Sequence, residues 1–175
     1  MLTESDLLRY RGLFLNESKA YKSFAKANAQ VSIFLSHSHK DQELVEGLIN
    51  YLAVSSQIVI YVDWRDSDMP SITNRETAHR IKQKINDLDY FLVLATKNAM
   101  ASKWVPWEIG IADMIKPNKI AIIPVADPSG QYYGNEYLQL YPSIQPGNRL
   151  GASVLAVFEP NQTGNGTVIR SWLTK

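Results

Sequence analysis

Glu108 is the residue around which chemistry can be built. It lies in Ser102-Lys103-Trp104-Val105-Pro106-Trp107-Glu108-Ile109-Gly110-Ile111-Ala112-Asp113, shortly after the apolar run Tyr90 to Ala95. Pro106 is tolerated in a first helical turn, where backbone amides have no helical partner. With Trp104 as position i, residues Trp107, Glu108, Ile111, Ala112 and Ile115 fall at i+3, i+4, i+7, i+8 and i+11. That spacing predicts one helical stripe, apolar except for Glu108. A lone carboxylate among tryptophans and isoleucines is costly to bury when charged. It needs a partner, a raised pKa or a ligand. Paired with Lys103 or a backbone group it would be a structural acid; set against a cleft it would do chemistry.

The other polar groups are weaker candidates. His37 and His39 lie two apart on a polar stretch, and His79 is the remaining histidine. This is no metal-ligand spacing, so no metal is expected, and two solvated loop histidines are the plain reading. Ser36, His37 and Asp41 are adjacent in sequence, which says nothing about triad geometry. No G-x-G-x-x-G follows the first strand, and there is no G-x-x-x-x-G-K-[ST] and no G-x-S-x-G. Ordinary dinucleotide folds, P-loop NTPases and the hydrolase elbow are therefore disfavoured. Trp64, on a polar loop, is hard to explain as core and suits an interface or ligand role.

These residues need a frame. Thr3 and Asp6 form a capping-box pattern opening a helix expected over 3–27. Strands are expected at 31–36, 58–62, 90–95, 119–125 and 152–158. Helices are expected at 42–54, with Asp41 as N-cap, at 75–88, from Trp104 to Ile115 and around 168–173. The segment 127–146 reads as a tyrosine-rich loop with a short helix near 136–140. Continuous apolar strands alternating with amphipathic helices imply an α/β fold: five parallel strands with helices on both faces, plus an N-terminal helix. Ligands in such sheets sit at the C-terminal strand ends. That rule predicts a cleft near Ser36, His37, Asp63, Trp64, Trp104 and Glu108.

Composition limits the function classes. The chain has 175 residues, 45% hydrophobic and 20% charged, with a formal net charge of +1. One main domain with a good core is expected. Neither nucleic acid nor an anionic membrane is favoured by such a charge. There is no cysteine, which removes thiolate chemistry and disulfides. The acidic residues near the start and the lack of an apolar run of roughly 20 residues make a cytoplasmic protein the expectation.

The motifs also carry a family resemblance. Residues 31 to about 173 resemble a TIR (Toll/interleukin-1 receptor) domain, a flavodoxin-like three-layer fold, with residues 1–30 as an N-terminal helical extension and the domain taken as 31–175. The matching pieces are Ile33-Phe-Leu-Ser-His-Ser-His-Lys-Asp41, Ile60-Tyr-Val-Asp-Trp64 and Ser102-Lys-Trp-Val-Pro-Trp-Glu108. The last resembles Ser-x-Trp-Cys-x-x-Glu, with Val105 where the family often has cysteine. Trp-Val-Pro-Trp-Glu-Ile-Gly and Asn135-Glu-Tyr-Leu-Gln-Leu-Tyr-Pro142 are similar to bacterial anti-phage TIR proteins of the Thoeris type.

The resemblance implies an NAD+ glycohydrolase or ADP-ribosyl cyclase-like enzyme. It would cleave the ribose–nicotinamide bond and make an ADP-ribose-derived signal for a separate effector. Glu108 takes the catalytic role by similarity. Phe34, Ser36, His37 and Ser38 fall where the first strand meets the dinucleotide, Asp63 and Trp64 open the second loop, and Trp104 walls the pocket. NAD+ is then a substrate and no cofactor is implied; TIR–TIR self-association is. Two alternatives stand beside this reading: a non-catalytic TIR interaction module, and, more distantly, a nucleoside deoxyribosyltransferase-like enzyme.

Overall fold

The computed structural model describes residues 1–12, 31–56, 75–162 and 164–174. Its centre is a sheet whose strands β2 (Ile33–Ser36), β3 (Tyr90–Ala95) and β4 (Ile120–Ala126) run parallel. All three are buried along their whole length, as continuous apolar runs in a doubly covered parallel sheet must be. The strand expected at 58–62 lies outside the described residues.

Successive side chains of a strand point to opposite faces, and the core divides accordingly. Ile33, Leu35, Leu92, Leu94 and Ile123 pack with α2 (Gln42–Ser56), which contributes Leu44, Val45, Leu48 and Leu52. Phe34, Phe91, Val93 and Ile122 face the other way. They meet α3 (Arg75–Asp87) and α5 (Trp104–Ile115) through Ile81, Ile85, Val105, Ile109 and Ala112. Between β3 and α5 lies the short helix α4 (Lys97–Met100), capped by the Thr96 side chain. The three-layer α/β architecture expected from the sequence is therefore present.

The far end of the sheet departs from the expectation of five parallel strands. Ser143–Arg149 forms β5, beginning inside the segment 127–146 read as loop, and pairs antiparallel with β6 (Ala152–Phe158) from Ser143↔Phe158 to Arg149↔Ala152. A two-residue connection, Leu150-Gly151 at φ 51° and 84°, joins them. Positive φ at both central residues makes a tight hairpin, and a hairpin can only join antiparallel neighbours. The strand β7 (Thr167–Val168) adds antiparallel to β6 and leads into α6 (Ile169–Trp172). β5 itself runs parallel to β4, at Ile122↔Ser143.

The N-terminus is also more elaborate than one helix. Leu2–Thr3 forms β1, parallel to the end of β4 at Val125 and Ala126. Helix α1 (Glu4–Leu8) opens with the expected capping box: Asp6 N–H donates to Thr3 Oγ1 at 3.1 Å, and Thr3 N–H donates to Asp6 Oδ2 at 3.0 Å. It stops well short of residue 27. Tyr10 and Arg11 donate to Leu7 and Leu8 in tighter turns, and Gly12 takes φ 83°, which a right-handed helix cannot continue through. Residues 13–30 lie outside the described set. Helix α1 buries Leu7 against α2.

Candidate active site

Two rigid elements bring Ser36 and Glu108 together. Ser36 ends β2, held in register opposite Val93. It points to the α5 side because it shares the face of Phe34. Helix α5 starts where Ser102 Oγ accepts the amides of Trp104 and Val105, at 3.1 and 3.4 Å. Its buried residues are Val105, Glu108, Ile109 and Ala112. The predicted stripe is therefore out of phase by about one residue. Trp104, Trp107 and Ile111 are half-buried on its flank, and Ile115 is 41% exposed. The indoles pack edge to face at 5.1 Å, and Lys82 Nζ sits 5.6 Å from the Trp107 ring. Such large rings with a polar edge suit the margin of a core better than its centre. Trp107 accordingly packs against the edge of the core.

Glu108 is 8% exposed, and Ser36 Oγ donates to its Oε2 at 2.5 Å. This is the short range of a hydroxyl bonded to a carboxylate. The buried acid thus has an oxygen donor as partner. It lies at the C-terminal end of β2, the edge at which ligands bind in such sheets.

The loop after β2 is built tightly. His37 Nδ1 lies 2.8 Å from the Leu35 carbonyl oxygen. With Nδ1–H donating there, the neutral ring presents Nε2 as its acceptor. Burial, outweighing the pull of that carbonyl, lowers the His37 pKa. His37 is thus half-buried rather than the solvated histidine expected. His39, 6.3 Å away ring to ring, is exposed. Ser38 is buried, and its Oγ accepts Lys40 N–H at 3.3 Å to cap a 3-10 turn over His39–Asp41.

Asp41 belongs to that turn and does not cap α2. Its carboxylate accepts from Thr96 Oγ at 2.5 Å and from Asn98 Nδ2 at 2.6 Å, and at 2% exposure a carboxylate needs such donors. The sequence reading missed this tie between the loops after β2 and β3. The one signal was an acid closing a polar loop directly ahead of an apolar helix.

Phe34 lies beneath, 4% exposed and stacked on Phe91 at 5.4 Å and 7°. Ser36, His37, Ser38, Trp104 and Glu108 are thus gathered at one end of the sheet, with Phe34 under them. Asp63 and Trp64 lie outside the described residues. Among the described residues no cluster of three histidine or acidic side chains could hold a metal ion, and no helix is long and apolar enough to cross a membrane. A separate depression of about 340 Å3 opens beside β4 and β5, lined by Ile122, Pro124, Tyr132, Leu138 and Tyr141 among others.

A family model for the TIR domain matches residues 33–145. The chain belongs to the TIR domain family. The match spans β2 through the first part of β5 and includes both Ser36 and Glu108. A curated relative, the probable 3' cyclic ADP-D-ribose synthase ThsB' of Bacillus cereus (strain MSX-D12), is 34% identical over 159 residues, covering 89% of this TIR protein and 81% of that one. The crystal structure of a prokaryotic SEFIR domain is similar at a TM-score of 0.44 and 18% identity, covering 62% of this chain and 77% of that one.

Proposed function

We propose that this TIR protein cleaves NAD+ at the ribose–nicotinamide bond, with Glu108 as the catalytic carboxylate, and that its product is an ADP-ribose-derived signal in anti-phage defence. The observation that carries this reading is the buried Glu108 carboxylate held by Ser36 at the C-terminal end of β2. The name of the Bacillus cereus relative, a probable cyclic ADP-ribose synthase, supports it.

The chemistry follows from charge. Heterolysis of the glycosidic bond returns its electron pair to the pyridinium nitrogen, so nicotinamide leaves neutral and no general acid is needed. Positive character grows on the ribose as the bond lengthens. A fixed carboxylate beside the sugar stabilises that charge, and low-dielectric walls such as the Trp104 indole strengthen the effect. An oxygen of water or of the nucleotide itself then bonds the anomeric carbon and releases a proton. NAD+ is the substrate, and no cofactor takes part. A separate effector senses the product, and copies of the domain associate with one another.

The test is nicotinamide release from NAD+ by wild type and Glu108→Gln, with mass spectrometry of the nucleotide product. Wild type should turn over and Glu108→Gln should lose at least about 100-fold, the scale of removing one transition-state electrostatic contact. Inert wild type at high concentration would favour a purely scaffolding TIR module. Equal turnover by both would remove Glu108 from the mechanism.

A further inference from the structure

We infer that Ser36 is a positioning residue that acts through Glu108, rather than a contact to the substrate. The inference rests on the reading of Glu108 given above and adds how its carboxylate is oriented. Ser36 is 1% exposed, so its hydroxyl is turned inward, and its acceptor is Glu108 Oε2 at 2.5 Å.

The asymmetry between the two side chains decides which one orients the other. Serine has one side-chain torsion. Its backbone is locked in the ladder by Ser36↔Val93, and Val93 is locked in turn by Val93↔Ile122. Glutamate has three torsions, and fixing them costs rotamer entropy. The rigid donor therefore sets the flexible acid. Helix α5 holds the other end, through Val105, Ile109 and Ala112 packed on the sheet. The carboxylate is thus clamped at one oxygen by β2 and at its Cα by α5, and the orientation of Oε1 follows.

This arrangement has a functional consequence. An electrostatic catalyst works best when its charge is already in place and does not reorganise as the reaction proceeds. The hydroxyl also supplies a hydrogen bond to the buried carboxylate, offsetting part of its desolvation. A hydroxyl used in this way is spent on the enzyme, so its loss should appear in the chemical step rather than in ground-state binding of NAD+.

The experiment compares wild type, Ser36→Ala and Ser36→Thr by steady-state NAD+ kinetics and by carbon-13 NMR of the Glu108 side-chain carboxyl without substrate, the resonance being identified by its loss in Glu108→Gln. Ser36→Ala should lower kcat about 10–100-fold, the effect of a small misplacement, with KM changed less than about threefold and the Glu108 carboxyl resonance displaced. Ser36→Thr, which keeps the hydroxyl, should recover most of kcat and the wild-type resonance. A raised KM with kcat retained would make Ser36 a substrate contact and overturn the inference. So would a Glu108 resonance that ignores Ser36→Ala. If Ser36→Ala does not fold, Ser36→Cys keeps the volume and weakens the donor, and the same outcomes apply. Wild type without NAD+ turnover would sink the functional reading, while the resonance would still report whether Ser36 orients the acid.

Discussion

The Asp41 carboxylate and the Thr96 hydroxyl meet at 2.5 Å, 55 residues apart in the chain. Asn98 donates to the second carboxylate oxygen at 2.6 Å, so one acid fastens the loop that follows Ser36 to the loop that precedes Trp104. In Asp41→Ala the buried Thr96 hydroxyl loses its acceptor, which should cost about 1–3 kcal/mol, while half-buried Asn98 loses less. Urea unfolding should show a lower midpoint at unchanged slope, and NAD+ turnover should fall with it, as the segment carrying Ser36 and His37 loosens. Asp41→Asn retains one acceptor and should cost less. An Asp41→Ala protein as stable as wild type would show that the tie contributes nothing.

The parts of this molecule legible from the sequence are those in which one interaction dominates. Burial on both faces forces β2, β3 and β4 to be continuous apolar runs, and they were readable as such. The Thr3–Asp6 capping box was readable because both of its bonds are local. β5 was not, because Ser143–Arg149 is polar and contains Pro146 and Gly147, and its strand character comes from pairing with β6. At the site, Glu108 stood out as an acid among apolar neighbours. Its partner did not, since the meeting of Ser36 and Glu108 is tertiary and spans 72 residues. The phase of α5 was misjudged for a simpler reason: tryptophan counts as apolar, yet Trp104 and Trp107 sit on the flank while smaller Val105 and Ala112 fill the centre.

Gly47 is where α1 rests on α2. A Cβ there would lie 2.1 Å from the Leu7 carbonyl oxygen, an impossible contact with backbone rather than with a flexible side chain. Alanine gains about 1 kcal/mol of helix propensity over glycine, which on an open helix would make Gly47→Ala stabilising. Here α1 must move instead, and overpacking of this kind costs about 1–3 kcal/mol. Gly47→Ala should therefore be neutral to destabilising, with lost amide protection concentrated in residues 2–12. A clear rise in stability with α1 still protected would contradict the close approach.

His37 gives a pH dependence with a definite sign. Burial lowers its pKa, helped by nearby His39 and opposed by the Leu35 carbonyl and Asp41. The unfolded chain therefore takes up the proton first as pH falls below about 6.5. Stability should be level with respect to His37 above that pH and decline below it, until the folded ring also protonates. Glu4, whose carboxyl is pushed up by burial and by Asp41 and Asp127, has the opposite slope near its own range. The comparison is therefore made against His37→Gln. Unfolding free energies measured between pH 7 and pH 5 should fall more for wild type than for the variant. Parallel curves would mean that His37 titrates alike in both states.

Tyr132 and Tyr141 set the alkaline limit. Burial is the main cause pushing each phenol up to about 12, joined for Tyr141 by the hydrogen bond and charge of Asp113. In the unfolded chain both ionise near 10. Between about 10 and 12 the folded state keeps protons that the unfolded state has released, so stability present below pH 10 is lost as pH rises. Burial also raises the phenols of Tyr51 and Tyr90, so absorbance titration at the phenolate band is read by difference: Tyr132→Phe and Tyr141→Phe should each remove one late step. Gly134 supplies an internal control. A Cβ there would come within 2.4 Å of the Tyr132 ring, so Gly134→Ala should push that ring outward and bring its ionisation back toward 10, while Tyr141 stays late. A single transition near 10 for all tyrosines of the folded protein would mean that neither ring is as enclosed as its packing implies.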